Sequence, residues 1–105
     1  MKVATLCQAG TVRSAGLKHL LNYKYNHDAL SCGWEGNSKE TLKMLFTWAD
    51  YIVITQGEFI EYVPEEFHGK TFCYDVGEDT YGYAFHPELI KKFESMIKQH
   101  GFFNK

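Results

Sequence analysis

Cys7 and Arg13, the only arginine in the chain, bracket the stretch CQAGTVRS, Cys7 to Ser14. A cysteine thiolate is a nucleophile. Arginine presents a planar fork that matches two oxygens of a phosphate, a geometry lysine does not supply. Gly10 between them permits the positive φ that a tight anion cradle requires. The stretch follows an apolar run and precedes a helix-like segment. Loop N–H groups and the first free amides of the helix can therefore converge on one anion. The same positive potential draws the Cys7 thiol toward its thiolate form. A phosphate loop is expected over Gln8, Ala9, Gly10, Thr11, Val12 and Arg13, with Cys7 aimed at phosphorus.

Two features separate this arrangement from an inert core cysteine beside a surface arginine. One arginine stands against ten lysines, so its placement points to geometry rather than charge. A cation at a helix N-terminus also opposes the macrodipole unless an anion binds there.

The elements around the loop alternate in type. Lys2–Leu6 reads as a buried strand, and Leu17, Leu20 and Leu21 share one face of a helix that begins near Ser14. Asp28–Ser31 is a weaker strand. Asn37-Ser38-Lys39-Glu40 resembles a capping box, ahead of a helix whose apolar stripe is Leu42, Leu45, Phe46 and Ala49. Tyr51–Thr55 is apolar and β-branched throughout, the pattern of a strand buried on both faces of a parallel sheet. A short helix is expected over Glu58–Tyr62 and a strand over Thr71–Tyr74. The final helix opens at His86-Pro87-Glu88, with Leu89, Ile90, Phe93, Met96 and Ile97 on its buried face. This order implies an α/β fold, a four-stranded parallel sheet in the order 2-1-3-4 with helices on both faces. Ligands of such sheets bind at the carboxyl ends of the strands, beside strand 1, where Cys7 lies.

Composition bounds the partners. The 105 residues suit one domain, and a net charge of −2 gives no support to nucleic-acid binding. No stretch reaches the roughly 18 apolar residues of a membrane span, and the N-terminus lacks a signal-peptide pattern. Three cysteines, Cys7, Cys32 and Cys73, form neither a disulfide framework nor a zinc pattern, which favours a reducing, cytoplasmic setting. The five histidines show no ligand spacing, so no metal or other cofactor is assigned.

The spacing Cys-x5-Arg-Ser on the first strand-to-helix turn resembles the low-molecular-weight protein tyrosine phosphatases, in particular compact bacterial and phage members. The segments WADYIVIT and YDVGEDTYGYAFHPEL extend that resemblance over most of residues 1–105. It implies that Cys7 forms a phosphocysteine intermediate, that Arg13 clamps the phosphate, and that Ser14 eases departure of the sulfur. The substrates implied are phosphotyrosine proteins or small aryl phosphates.

An alkoxide or phenoxide leaving group requires a general acid in line with the sulfur. The family places it on an Asp-Pro-Tyr-like loop, matched here by Asp79-Thr80-Tyr81-Gly82. Asp79 is the expected acid and Asp75 its competitor, with Glu78 a like charge able to keep a neighbouring carboxyl protonated. Thr80 replaces the motif's proline. Trp34 and Tyr81 are expected to wall a cleft for an aromatic ring, whereas Tyr83 reads as ordinary partial burial. Val12 stands where many members carry a protective second cysteine, and Cys32 and Cys73 read as structural.

Three other assignments compete. The loop Cys7-Gln8-Ala9-Gly10 also resembles the phosphocysteine carriers of sugar phosphotransferase systems (IIB domains), which lack an arginine at the position of Arg13. A phosphatase-like arsenate reductase needs two further late cysteines, and Cys73 stands alone. A binding module that cradles phosphate with little turnover is compatible with Thr80.

Overall fold

The computed structural model describes residues 1–104. Four strands form one parallel sheet in the order β2-β1-β3-β4: β1 Lys2–Cys7, β2 Asp28–Gly33, β3 Tyr51–Ile54 and β4 Thr71–Cys73. Helices α1 (Arg13–Tyr23), α2 (Lys39–Trp48) and α3 (Pro87–His100) complete the α/β architecture expected from the sequence. Alternate residues of β1 feed two cores. Val3 packs with Leu17, Leu21, Leu89, Phe93 and Ile97 from α1 and α3. Ala4 and Leu6 pack with Leu42 and Phe46 from α2 and with Phe59 and Phe67 on the opposite face. Burial on both faces is why β1 and β3 carry no solvent-facing polar alternation.

Boundaries differ from expectation where a side chain has a better partner. β2 runs on from Ser31 to Gly33, pairing with β1 as far as Cys7. Ser38, and not Asn37, caps α2: its Oγ accepts from the Thr41 N–H at 3.1 Å. The Asn37 Oδ1 instead accepts from the Gly33 N–H at 2.9 Å, so the capping box with Glu40 does not form. The expected helix near Glu58 is a 3-10 helix over Gly57–Tyr62, and a second 3-10 helix at Glu65–Lys70 was not anticipated. α3 starts at Pro87 as expected, with His86 as its cap and Gly101 at φ +72° ending it. Its Ile90 and Met96 are only partly buried, and Leu89, Phe93 and Ile97 carry the contact.

Among the described residues, no helix is long and apolar enough to cross a membrane. The parallel order brings the carboxyl ends of β1, β2 and β3 to one edge, so the segments after Cys7, Gly33 and Ile54 meet there.

Candidate active site

The loop after β1 folds back onto the end of β2. The Trp34 N–H donates to the Cys7 carbonyl at 3.2 Å and the Glu35 N–H to the Gln8 carbonyl at 2.9 Å. Two glycines make that approach possible. Gly10 adopts φ +81°, and a Cβ there would lie 2.8 Å from the Cys32 carbonyl carbon. A Cβ on Gly33 would lie 2.3 Å from that of Ala9. Any side chain at either position would push the loop off the sheet.

Cys7 is buried, and its Sγ accepts a hydrogen bond from the Gly10 N–H at 3.1 Å. The Ser14 Oγ sits 3.0 Å from the same sulfur. Ser14 is itself held by β1, through the Thr5 Oγ1 donating to its carbonyl at 2.7 Å. The sulfur thus has two polar neighbours placed to stabilise negative charge on it.

Arg13 opens α1, whose first turn carries no acid and whose start has no side-chain cap. The residue is only 2% exposed. Its Nη1 donates to the Gln56 Oε1 at 2.7 Å and to the Gly77 carbonyl at 2.8 Å, and Phe59 lies 5.2 Å beneath the guanidinium. Its Nε is buried without a hydrogen-bond partner. A buried unsatisfied guanidinium N–H is costly. Gln56 and Phe59 went unrecognised in the sequence. They meet Arg13 only through tertiary structure, and no local pattern marks them.

The two candidate acids differ in their surroundings. Asp75 accepts from the Gly57 N–H through Oδ2 and from the Gly77 N–H through Oδ1, each at 2.9 Å. It therefore braces both segments that hold Arg13. Asp79 is exposed, and its Oδ1 accepts only a long bond from the Tyr81 N–H at 3.4 Å. Asp79 begins two residues beyond the Gly77 carbonyl that orients Arg13.

The expected aromatic walls separate. Tyr81 is a correction: it is buried in the core at 6% exposure and does not line a cleft. Its hydroxyl donates to the Val76 carbonyl at 2.7 Å and receives Lys92 Nζ at 2.8 Å, which anchors the loop on α3. A phenol pointing inward satisfies its polar tip there while burying its ring. Trp34 stacks on Tyr62 at 4.1 Å and lines a groove of about 580 Å³ with Lys39, Leu42, Lys43, Glu61 and Pro64. Neither Cys7 nor Arg13 lines this groove. Tyr83 is 54% exposed, more open than expected.

Cys32 is buried in the core with Ala4 and Leu6, whereas Cys73 is exposed at the end of β4 and belongs to neither core. Burial pushes the Cys32 thiol up to about 12, with the neighbouring Cys7 adding to the effect. The fold therefore favours the neutral thiol, and the unfolded chain ionises first. Stability contributed by Cys32 is complete below about pH 9 and falls as pH rises toward 12, by roughly 1.4 kcal/mol per pH unit. Denaturant titrations over that range should show a shallower decline in Cys32→Ala; an unchanged slope would contradict the assignment. Tyr74, also raised by burial, contributes to what remains.

Among the described residues, no group of three or more His, Cys, Asp or Glu side chains is placed to hold a metal ion. No protein-family model and no curated protein matches the chain by sequence. Solved structures do match by shape. Wzb of Vibrio vulnificus, solved with benzylphosphonate, is 13% identical with a TM-score of 0.68, over 93% of this chain and 97% of that one. The YwlE arginine phosphatase of Geobacillus stearothermophilus is 17% identical with a TM-score of 0.64, over 95% and 92%. A low-molecular-weight protein tyrosine phosphatase of Bacillus subtilis is 15% identical with a TM-score of 0.67, over 100% of both chains. With its 2-1-3-4 parallel sheet and the loop after β1 seated at the sheet's carboxyl edge, the chain has the low-molecular-weight protein tyrosine phosphatase fold.

Proposed function

We propose that the protein is a cysteine-dependent phosphomonoesterase acting on phosphotyrosine or small aryl phosphates. The observation that carries this is Arg13: a nearly fully buried guanidinium, held on Nη1 by Gln56 and Gly77, with an unpartnered Nε beside the Cys7 loop. A phosphocysteine carrier has no use for a clamp that stabilises the transition state for losing its phosphate. The expected reducing, cytoplasmic setting would keep Cys7 a free thiol.

In the first step Cys7 Sγ, as the thiolate, attacks phosphorus. An S–P bond forms as the bond from phosphorus to the leaving oxygen breaks, and Asp79 gives that oxygen a proton. The other loop amides, together with Arg13, hold the equatorial oxygens while charge redistributes, and the Gly10 N–H stays on the sulfur. In the second step Asp79, now a carboxylate, takes a proton from water as the water oxygen attacks phosphorus. The S–P bond breaks and its electron pair returns to sulfur, next to the Ser14 hydroxyl and the Gly10 N–H. No step draws on a metal or cofactor.

Release of phosphate from an aryl phosphate in the presence of EDTA tests the assignment, and absence of release rejects it. Asp79→Asn should slow turnover about 100-fold for alkyl-like leaving groups and far less for nitrophenolate, which departs without a proton. If Asp75→Asn produces that leaving-group dependence and Asp79→Asn does not, Asp75 is the acid.

Phosphoarginine is a second substrate to test. The inward turn of Tyr81 removes one aromatic wall that would have favoured a phenyl ring, and arginine phosphatase activity belongs to the YwlE protein that shares this fold. Comparing kcat/KM for phosphoarginine and phosphotyrosine on one preparation decides between them.

A further inference from the structure

Four segments frame the Cys7 loop and the Arg13 guanidinium: residues 8–14, 33–38, 55–62 and 74–83. They contain six of the thirteen acidic residues and none of the ten lysines. The rest of the chain carries more lysines than acids, so the negative charge is concentrated at this edge of the sheet.

Three of these carboxylates, Glu35, Glu58 and Asp75, are tied to the site by hydrogen bonds. Glu35 Oε1 accepts from the side chain of Gln8, in the phosphate loop, at 2.6 Å. Glu58 Oε2 accepts from Gln56 Nε2 at 2.5 Å, and the Oε1 of the same Gln56 receives Arg13. Asp75 braces Gly57 and Gly77, and Glu78 and Asp79 directly follow the carbonyl that Arg13 grips. All five are exposed, whereas Arg13 is almost wholly buried with its Nε unpartnered. Three lysines adjoin the collar without joining it: two share a groove wall with Glu61 and one is engaged by a hydroxyl. Lys39 and Lys43 line the groove beside Trp34, and Lys92 is engaged under the acid loop by Tyr81.

An approaching substrate therefore meets a negative collar first and a buried positive contact only on docking. Such a field repels a free dianion at a distance and attracts a phosphoryl group whose carrier is cationic. We propose, building on the phosphatase assignment above, that this collar selects phosphorylated peptides with lysine or arginine beside the phosphorylated residue. Peptides with aspartate or glutamate at those positions are disfavoured by the same charges.

Two phosphotyrosine peptides that differ only in having lysines or glutamates at the flanking positions test this on the whole 105-residue chain. The lysine peptide should show about a tenfold higher kcat/KM at low ionic strength, shrinking toward parity at high salt. A small dianionic aryl phosphate should show the opposite trend, with kcat/KM rising as salt screens the collar. In a combined Glu35→Gln, Glu58→Gln and Glu78→Gln variant the ratio between the two peptides should fall toward one. That ratio is read on one preparation, so loss of folded or active enzyme cancels from it. Binding of both peptides to Cys7→Ser gives the same comparison without turnover. Equal rates, a preference insensitive to salt, or a ratio unmoved in the triple variant overturns the proposal. So does failure of the lysine peptide to be cleaved or bound while the aryl phosphate is hydrolysed. Failure to hydrolyse any of the substrates rejects the underlying phosphatase assignment instead.

Discussion

Cys7→Ser releases no measurable phosphate from an aryl phosphate that the unaltered protein hydrolyses, a loss of at least about 10⁴-fold in kcat. The reason is chemical and not steric. Serine at position 7 would keep the Gly10 N–H and the Ser14 Oγ as neighbours, and the cradle would keep its shape. A hydroxyl, however, ionises far less readily than a thiol, and no base stands beside position 7 to take its proton. Inorganic phosphate should therefore bind to Cys7→Ser and to the original protein alike, protecting both against thermal unfolding. Loss of turnover with retained binding isolates the nucleophile. Turnover that survives the substitution would remove Cys7 from the chemistry.

Arg13→Lys should lower kcat by about 10²- to 10³-fold, the scale for removing a preorganised donor from a transition state. Arg13 combines three features in one plane of atoms: Nη1 grips Gln56 and Gly77, the ring of Phe59 supports the guanidinium, and Nε has no partner within the protein. A lysine ammonium is a point charge and cannot hold both protein acceptors while presenting a parallel pair of donors to phosphate. Gln56→Leu should give a smaller loss in the same direction, because Gly77 still orients the guanidinium. Melting curves for each variant separate loss of fold from loss of function. If Arg13→Lys stays within tenfold of the original kcat, the clamp is not what accelerates the reaction.

The two halves of the site differed in how far the sequence revealed them. Cys7, Gly10, Arg13 and Ser14 were legible because they lie on one strand–loop–helix turn, where spacing along the chain is spacing in space. Gln56 and Phe59 follow β3 and reach Arg13 only because β3 pairs directly with β1. Tyr81 shows the opposite failure. Its place in a motif suggested a cleft wall, but Val76 and Lys92 together give its hydroxyl a full set of partners inside the core. Asn37 likewise follows the stronger bond, to Gly33, and leaves the cap to Ser38.

Local periodicity and loop chemistry were enough to read an α/β chain and to expect an anion cradle after its first strand, since those features are written within a few consecutive residues; the 2-1-3-4 order, expected from the alternation of strands and helices, is set by pairings between distant segments. What faces the cradle was decided by tertiary structure alone. The segments that follow the strands converge at one edge, so Gln56, Phe59 and Gly77 become neighbours of Arg13 although dozens of residues separate them from it along the chain. Hydrogen-bond competition among those neighbours then set which side chain braces, which turns inward and which stays free to meet a substrate.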